Sequence, residues 1–331
     1  MNDLRSAGLR SADPRSADLR SADPRSADLL SAAFGGRPDT VVAVPADATP
    51  TDRWLAGVVL GGQGRYAAAA GQLRRVLGGP DPVLAALAGA TMASHLRQLG
   101  GHAAARRYDA EAARRLAASD RASDRSATPA DPYGMDRTGA LVDVLLGLAA
   151  DAIGLHRPAE AARLHDAARR ASGDTEPAWR VTVRIDWVAT EIALATDRPA
   201  AAVRHAERAT AVATAHGAVR HTVKSTMMLG AALTSGGTPD GRPRAERLLA
   251  GALDVSLTRG MFSLAWPCAL LLADLAPDRA ADFTETAANV LTSVFWSSDA
   301  EMRRIAAASR WMPGSLIRSG EPTRTSGQLT T

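Results

Sequence analysis

Cysteine and lysine are almost absent from the sequence. Cys268 is the only cysteine in 331 residues, so the chain can form no intrachain disulfide and no cluster of thiolate metal ligands. Lys224 is the only lysine, and arginine carries nearly all of the positive charge. Because arginine has a very high pKa, the isoelectric point is 9.9 although the formal net charge is only +4. Acidic and basic residues are mixed along the chain, so we expect no nucleic-acid partner.

Long apolar runs are absent as well. The first thirty residues lack the apolar segment of a secretory signal peptide. The best apolar stretch, residues 261–272, is interrupted by Ser263 and Pro267 and is too short to cross a bilayer. The sequence therefore predicts a soluble, cytoplasmic protein that does not contact a membrane.

Aromatic residues are scarce, whereas small apolar residues are abundant. Aromatics make up 4% of the chain and hydrophobic residues 46%, most of them alanine and leucine. Alanine favours helices because it loses no side-chain entropy there, and small side chains let helices approach closely. The composition predicts an all-α protein with enough apolar material for one large domain or two ordinary ones.

A five-residue unit, Ala-Asp-Leu/Pro-Arg-Ser, repeats through the first thirty residues. It resembles the pentapeptide-repeat family, in which the third residue of each unit points into a square β-helix. The residues at that position are Leu4, Leu9, Pro14, Leu19, Pro24, Leu29 and Phe34. So few units cannot bury a continuous core, and proline removes backbone donors that a β-helix needs. With the proline-rich stretch that follows, the pattern predicts a disordered leader and linker over residues 1–51.

The strongest pattern of the chain lies in residues 53–82. Two helical runs are joined by a glycine-rich turn and end in glycine and proline, which stop helices. Within them, Gly57, Tyr66, Ala69 and Leu73 have spacings that resemble a tetratricopeptide repeat. The resemblance implies a helical hairpin whose two helices cross at the small residues Gly57 and Ala69.

Similar turns recur along the chain and open further alanine-rich helices. They read GGH, HRP, DRP, GRP and DRA, at residues 100–102, 156–158, 197–199, 241–243 and 278–280. Ala105, Ala161 and Ala202 then stand at the helix-crossing position that Ala69 has in the first hairpin. The predicted hairpins are 53–78, 83–118, 138–172, 178–216, 218–259 and 261–296. We expect a right-handed array of about six hairpins over residues 52–316, ending in a helix over 299–311 with a Ser298–Glu301 capping box, and a disordered tail over 317–331.

No motif in the sequence points to catalysis, a metal or a cofactor. Residues 57–64 are rich in glycine but lack the lysine and hydroxyl residue of a phosphate-binding loop, so we interpret them as a hairpin turn. The histidines do not form the Glu-x-x-His pairs of di-iron bundles. Cys268 has apolar neighbours, which raise a thiol pKa, so we expect a buried structural cysteine. The sequence therefore predicts a protein without enzymatic activity.

Tetratricopeptide-like arrays bind peptides in a groove lined by the first helix of each hairpin. One mode of that family clamps a carboxylate with lysine and asparagine, and this is excluded here because Lys224, Asn2 and Asn289 are far apart. The planar guanidinium group of arginine binds carboxylates well through two parallel hydrogen bonds, and tryptophan and arginine are frequent at binding hot spots. The candidates on first helices are Arg97, Trp179, Arg180, Arg184, Trp187 and Arg220. The alternative, which we prefer for the two tryptophans, is that they fill gaps between alanine-rich helices.

These patterns favour a non-enzymatic interaction or scaffold module whose partner is a protein segment or another copy of the chain. One alternative is a regulatory protein that senses a ligand or partner, similar to the helical-array domains of bacterial transcription regulators. A second alternative is an enzyme with a pocket between hairpins.

Overall fold

A computed structural model of the chain describes residues 24–119, 131–173, 177–236 and 240–318. Over these ranges the fold is all-α and contains no strand, which confirms the predicted class. The helices are α1 (Pro24–Phe34), α2 (Pro50–Gly62), α3 (Tyr66–Leu77), α4 (Pro82–Gln98), α5 (His102–Ser119), α6 (Arg137–Gly154), α7 (Pro158–Ala171), α8 (Trp179–Ala195), α9 (Pro199–Ala215), α10 (Val219–Ser235), α11 (Gly241–Thr258), α12 (Phe262–Leu275), α13 (Ala280–Trp296) and α14 (Ala300–Ala308).

Helices that are neighbours in sequence pack in adjacent pairs. From α2 onward, each even-numbered helix up to α12 packs on the helix that follows it. The predicted hairpin ranges lie within three residues of the observed limits, the largest difference being 53 against Pro50. Alanine-rich helical segments separated by turns that contain glycine or proline were therefore sufficient to locate the pairs in the sequence.

The turns within four of these pairs share one unusual backbone conformation. Gly64, Gly100, His156 and Asp197 have φ angles of 76°, 69°, 59° and 52°, in the left-handed region. Glycine enters that region without strain, and histidine and aspartate are among the other residues that enter it most often. The recurring turn of the sequence thus corresponds to a recurring backbone geometry.

Small residues lie where the helices of a pair approach. Ala69, Ala105, Ala161 and Ala202 are completely buried. A Cβ atom placed on Gly57 would lie 2.6 Å from the Leu73 side chain on α3. A larger residue at this position would therefore force α2 and α3 apart.

The first helices of successive pairs contact one another, in the order α2, α4, α6, α8 and α10. We call the surface where these five helices converge the inner face. The inner face is the part of the fold that positions the candidate site.

The C-terminal helices contact the first pair. The Ser263 hydroxyl on α12 donates a hydrogen bond to the Gly62 carbonyl (2.8 Å), and the Ala67 amide donates to the Ser297 carbonyl (2.8 Å). In a linear repeat protein, each repeat contacts only its neighbours. Here the two ends of the series of pairs meet.

The last helix differs from its prediction. It covers Ala300–Ala308, not 299–311, and its N-cap is Asp299, whose carboxylate accepts from the Met302 amide at 2.9 Å. The Ser298 hydroxyl donates to the Val294 carbonyl and so does not form the predicted capping box. Aspartate is the stronger acceptor at this position because it carries a charge.

The leader is the main correction to the sequence analysis. Disorder was predicted over residues 1–51, but residues 24–51 include helix α1 and the beginning of α2. Leu29 and Phe34, two third-position residues of the five-residue unit, are buried. The burial comes from packing of α1 on α2 and α10, contacts that no local pattern could indicate. Residues 1–23 lie outside the described residues, as do residues 319–331 of the predicted tail.

Helix α12 carries the most apolar segment of the chain. It continues through Pro267, and Cys268 within it is completely buried. Among the helices described here, none combines the length and the apolarity that crossing a membrane requires.

Candidate binding site on the inner face

A small cavity of about 50 Å³ lies on the inner face, bordered by α1, α2, α4, α6, α8 and α10. Four of the predicted partner-binding residues line it, namely Arg180, Arg184, Trp187 and Arg220. We call it the inner cavity. The fold thus brings together residues that are up to forty positions apart in sequence.

Arg180 is fixed on the cavity wall by several acceptors. Its Nη1 atom lies 2.8 Å from Asp143 Oδ2, and its Nη2 atom donates to the Gly134 carbonyl at 3.0 Å. Its Nε atom donates to the Tyr133 carbonyl. Asp143 also contacts Arg184, whose Nε atom lies 2.6 Å from Asp143 Oδ1. One buried carboxylate therefore serves two guanidinium groups.

Arg220 differs because no carboxylate contacts it among the described residues. Its Nε atom is shielded from solvent and has no hydrogen-bond partner there. Burial lowers the pKa of Arg220, and the nearby Arg184 lowers it further. The charge of Arg220 is thus held in an environment that disfavours it.

The glycine-rich segment 57–64 has a structural role besides forming the predicted turn. Gly61 and Gly62 are the last residues of α2, and the turn begins after them. A Cβ on Gly61 would lie 1.9 Å from His95 Nε2, and a Cβ on Gly62 would lie 2.9 Å from Arg220 Nε. Both glycines therefore make room for polar side chains of the inner face.

Two histidines on the cavity wall are neutral near pH 7. Burial lowers the pKa of His95 to about 3, and the charges of Arg220 and Arg97 act in the same direction. Burial and the same kind of cationic neighbours hold the pKa of His221 well below its usual value. The Nδ1 atom of each ring is buried without a hydrogen-bond partner among the described residues. Neither histidine adds to the positive charge of the inner cavity.

Phe34, at the end of α1, lies against the inner cavity. Its ring centroid is 5.8 Å from that of Trp54, 5.6 Å from that of Tyr133 and 6.0 Å from that of His221. The guanidinium carbon of Arg180 lies 5.4 Å from the Phe34 ring centroid. Phe34 is thus held by aromatic contacts and by a cation–π contact.

The connection after α1 extends this contact. The Gly35 carbonyl accepts a hydrogen bond from the Val219 amide (3.1 Å), one of the free amides at the start of α10. At the other end of α1, the Ser26 hydroxyl donates to Asp52 on α2 at 2.6 Å. Helix α1 is therefore attached at both ends to helices of the inner face.

The two predicted tryptophans occupy different environments. Trp187 is 4% exposed, and its Nε1 atom donates to the Ser225 hydroxyl on α10 at 2.8 Å. The Lys224 ammonium lies 4.2 Å from its ring centroid, and burial lowers the pKa of Lys224 to about 8. Trp179 is half-buried and stacks on His216 at 5.2 Å. Trp187 thus fills the space between α8 and α10 while also lining the inner cavity.

Arg97, the sixth predicted residue, lies near the C-terminal end of α4 and does not line the inner cavity. Its Nη1 atom lies 2.6 Å from Asp109 Oδ2 and 3.3 Å from Asp151 Oδ1, and it donates to the Gly147 carbonyl. Burial raises the pKa of Asp109 to about 7, although the charge of Arg97 opposes this. Arg97 joins α4, α5 and α6 and is engaged entirely by these contacts.

The groups that could perform metal or nucleophilic chemistry are dispersed. The described residues contain no group of three or more side chains that could hold a metal ion. Burial raises the pKa of the Cys268 thiol to about 12, which keeps it protonated at neutral pH.

Sequence reasoning missed nine of the thirteen lining residues, among them Phe34, His95, Asp143 and His221. Asp143 carried a signal, since it is an acidic residue in the mostly apolar helix α6. A buried carboxylate requires a cation, and the arginines of α8 were the available partners. Phe34 had no such signal because the repeat in which it stands resembles low-complexity sequence.

Comparison with known proteins adds no relative. No protein-family model matches the chain, and no curated protein matches it in sequence. The tetratricopeptide resemblance therefore depends on residues 53–82, on the repeated turns and on the packing of helices in adjacent pairs.

Proposed function

We propose that the chain is a non-enzymatic interaction module of the tetratricopeptide-like type, a right-handed array of about six hairpins over residues 52–316. It acts in the cytoplasm and binds a protein segment on its inner face. One observation carries the proposal: a short helix, α1, already occupies this face and inserts Phe34 among the predicted arginines and tryptophans.

Helix α1 indicates what kind of segment the inner face binds. Helix-in-groove recognition uses a short helix with one apolar face and a few anchor residues. In α1 the buried residues are Leu29, Ala32, Ala33 and Phe34. A partner segment of the same chemistry would have small apolar residues on one face and an aromatic residue at its C-terminal end. Residues 24–34 of a second copy would also qualify, which would give self-association.

The chemistry of the inner face favours binding over catalysis. Its charged groups are mainly arginines, which do not exchange protons near neutral pH. His95 and His221 have lowered pKa values and are surrounded by cations, so neither is suited to accept a proton in a reaction near pH 7. We therefore place an enzyme last, and a ligand-sensing regulatory protein second because of the inner cavity.

The test releases α1 from its site in the full-length chain. In a Phe34→Ala variant, the ring contacts that hold the C-terminal end of α1 are lost, which costs about 3–5 kcal/mol, so α1 should detach. A fluorescent peptide of residues 24–36 should then bind the variant saturably in an anisotropy titration. It should bind the unmodified chain at least about tenfold more weakly, because the attached α1 competes at millimolar effective concentration.

Two controls make this test specific. The peptide with Phe34→Ala should not bind, and the Val41→Ala variant should behave as the unmodified chain because Val41 is 87% exposed. If the Phe34→Ala chain keeps its helical circular dichroism and still fails to bind the peptide, segment binding on the inner face is wrong.

A further inference from the structure

The inner cavity has an excess of positive charge. Its lining contains three guanidinium groups, those of Arg180, Arg184 and Arg220, and one carboxylate, Asp143. His95 and His221 are neutral there. The lining therefore carries a net charge of about +2 in an environment from which water is largely excluded.

Such an excess is costly unless something compensates it. Buried charges are normally paired, since removing them from water without a partner is strongly unfavourable. The C-terminal end of α2 at Gly62 lies beside Arg220 and offers about half a negative charge, which is not enough to balance two cations. Lys224 lies close enough to be repelled by Arg184 and Arg220, but the stronger charge effect on it is that of Glu191, which acts in the opposite direction, so Lys224 and Glu191 together leave the excess unchanged.

The cavity also offers unused hydrogen-bond donors. Arg220 Nε has no partner within the described part of the chain, and neither has the Nδ1 atom of His221, which donates in one tautomer of the neutral ring. Arg184 Nε lies 2.6 Å from Asp143 Oδ1 and is engaged by that carboxylate, so the donors that Arg184 offers to a ligand are those of its two Nη groups. Guanidinium forks match the oxygens of phosphate and sulfate and often bind them through two parallel hydrogen bonds.

The size of the inner cavity restricts the ligand. One water molecule requires about 10–15 Å³ of such space. The cavity of about 50 Å³ therefore accommodates about three to five water-sized atoms, which is comparable to the four oxygens of one tetrahedral oxyanion. Thr91, Ser94, Arg184 and Arg220 are partly exposed, so the cavity has an opening to solvent on their side.

We infer that the inner cavity is a binding site for a phosphate-sized oxyanion, held between Arg184 and Arg220. Arg180 and Asp143 position Arg184 through the shared carboxylate. The inference does not depend on the proposed function, because the cavity exists with α1 in place.

The experiment uses the full-length chain in a buffer without phosphate or sulfate. Inorganic phosphate is titrated at constant ionic strength, adjusted with sodium chloride, while calorimetry measures binding and thermal unfolding measures Tm. We expect saturable binding and a matching rise in Tm, because a ligand of the native state stabilises it. Sulfate should compete with phosphate.

Two variants test the assignment to Arg220. Arg220→Gln should weaken phosphate binding at least about tenfold. Arg220→Lys retains the positive charge but loses the two parallel donors of the guanidinium group. We therefore expect it to bind phosphate more weakly than the unmodified chain and more strongly than Arg220→Gln. Arg244→Gln is the matched control: Arg244 forms an exposed ion pair with Glu207, and its loss should leave phosphate binding unchanged.

The outcomes separate clearly. If phosphate stabilises the chain no more than chloride does, or if Arg220→Gln and Arg220→Lys both bind phosphate as the unmodified chain does, the oxyanion site is wrong.

Phosphoserine distinguishes the source of the anion: binding comparable to that of phosphate supports a phosphate ester as ligand, and binding of phosphate alone supports a free ion. The peptide titration with Phe34→Ala contains no anion ligand and adds no charge beside the cavity, so the two proposals can fail separately.

Discussion

The two buried arginine clusters of the molecule have opposite charge balances. Around Arg97, one cation contacts two carboxylates, those of Asp109 and Asp151. Around the inner cavity, three guanidinium groups face one carboxylate, Asp143, which contacts Arg180 and Arg184 but not Arg220. The Arg97 cluster joins α4, α5 and α6, whereas the inner cavity lies between first helices of neighbouring pairs.

The difference shows which cluster is structural. Arg97 has acceptors for its charge and joins three helices, as expected for a buried ion pair that fixes a fold. The inner cavity keeps cations without partners, which lowers stability unless a ligand of opposite charge binds. Perturbed, unpaired groups in a cavity are typical of functional sites. Four expected results test this comparison.

The largest effect should come from Arg97→Met. The change leaves Asp109 and Asp151 buried without a cation, and breaking a buried ion pair costs about 3–5 kcal/mol. Urea unfolding at pH 7 measures the loss. Arg75→Met, at an exposed position on α3, serves as control and should change the unfolding free energy by less than about 0.5 kcal/mol. A loss below about 1 kcal/mol for Arg97→Met would contradict a structural role.

Asp143→Asn should have the next largest effect. It removes the carboxylate that Arg180 and Arg184 share, and we expect a loss of about 3 kcal/mol in phosphate-free buffer. Arg180 keeps its two carbonyl acceptors, which limits the damage. The loss should shrink when phosphate is added, because the anion replaces the missing charge. An equal loss with and without phosphate would show that a bound anion does not replace the charge of Asp143.

Acidification should destabilise the protein through the cavity histidines. The pKa of His95 falls from about 6.5 in the unfolded chain to about 3 in the folded state, and the pKa of His221 is also lowered. Below pH 6.5 the unfolded state therefore binds more protons, so stability is complete above this pH and decreases toward pH 3. Each histidine contributes up to about 1.4 kcal/mol per pH unit.

His95→Gln isolates this contribution. Asp109 acts in the opposite direction, because its raised pKa makes the folded state bind a proton more readily between about pH 4 and pH 7. Urea unfolding of both chains between pH 7.5 and pH 4.5 should give a flatter curve for His95→Gln. Parallel curves would indicate that His95 is not held neutral by burial.

The smallest effect should come from Arg220→Met. In phosphate-free buffer the unfolding free energy should stay the same or rise by up to about 1 kcal/mol, since a buried cation without a partner is replaced by an apolar side chain of similar length. Arg97→Met and Arg220→Met should therefore change the unfolding free energy in different ways, and measuring both gives the most direct comparison of the two clusters. A loss above about 2 kcal/mol for Arg220→Met would mean that Arg220 is structural as well.

The positions of the helix pairs were predictable from the sequence because they depend on local rules. Glycine and proline stop helices, and alanine-rich amphipathic runs form them. The predicted set of arginines was useful for a related reason: first helices of a hairpin array face the same side, so Arg180, Arg184 and Arg220 had to point toward a common region.

The contacts that complete the site were not predictable, because they join residues that are distant in sequence. Phe34 meets Tyr133 and His221 only through the overall arrangement of the pairs. The sequence showed Arg97 and Arg220 as equivalent candidates, although one has two carboxylates beside it and the other has none. Charge balance in a buried cluster is a property of the tertiary structure.

The contact between the last helices and the first pair limits how the molecule can change over evolution. Open repeat proteins lengthen or shorten by gaining or losing whole units, since each unit touches only its neighbours. Here an inserted hairpin would move Ser263 and Ser297 away from Gly62 and Ala67, which they now contact. The family of sequences compatible with this fold must therefore vary by substitution and loop length at a fixed number of hairpins.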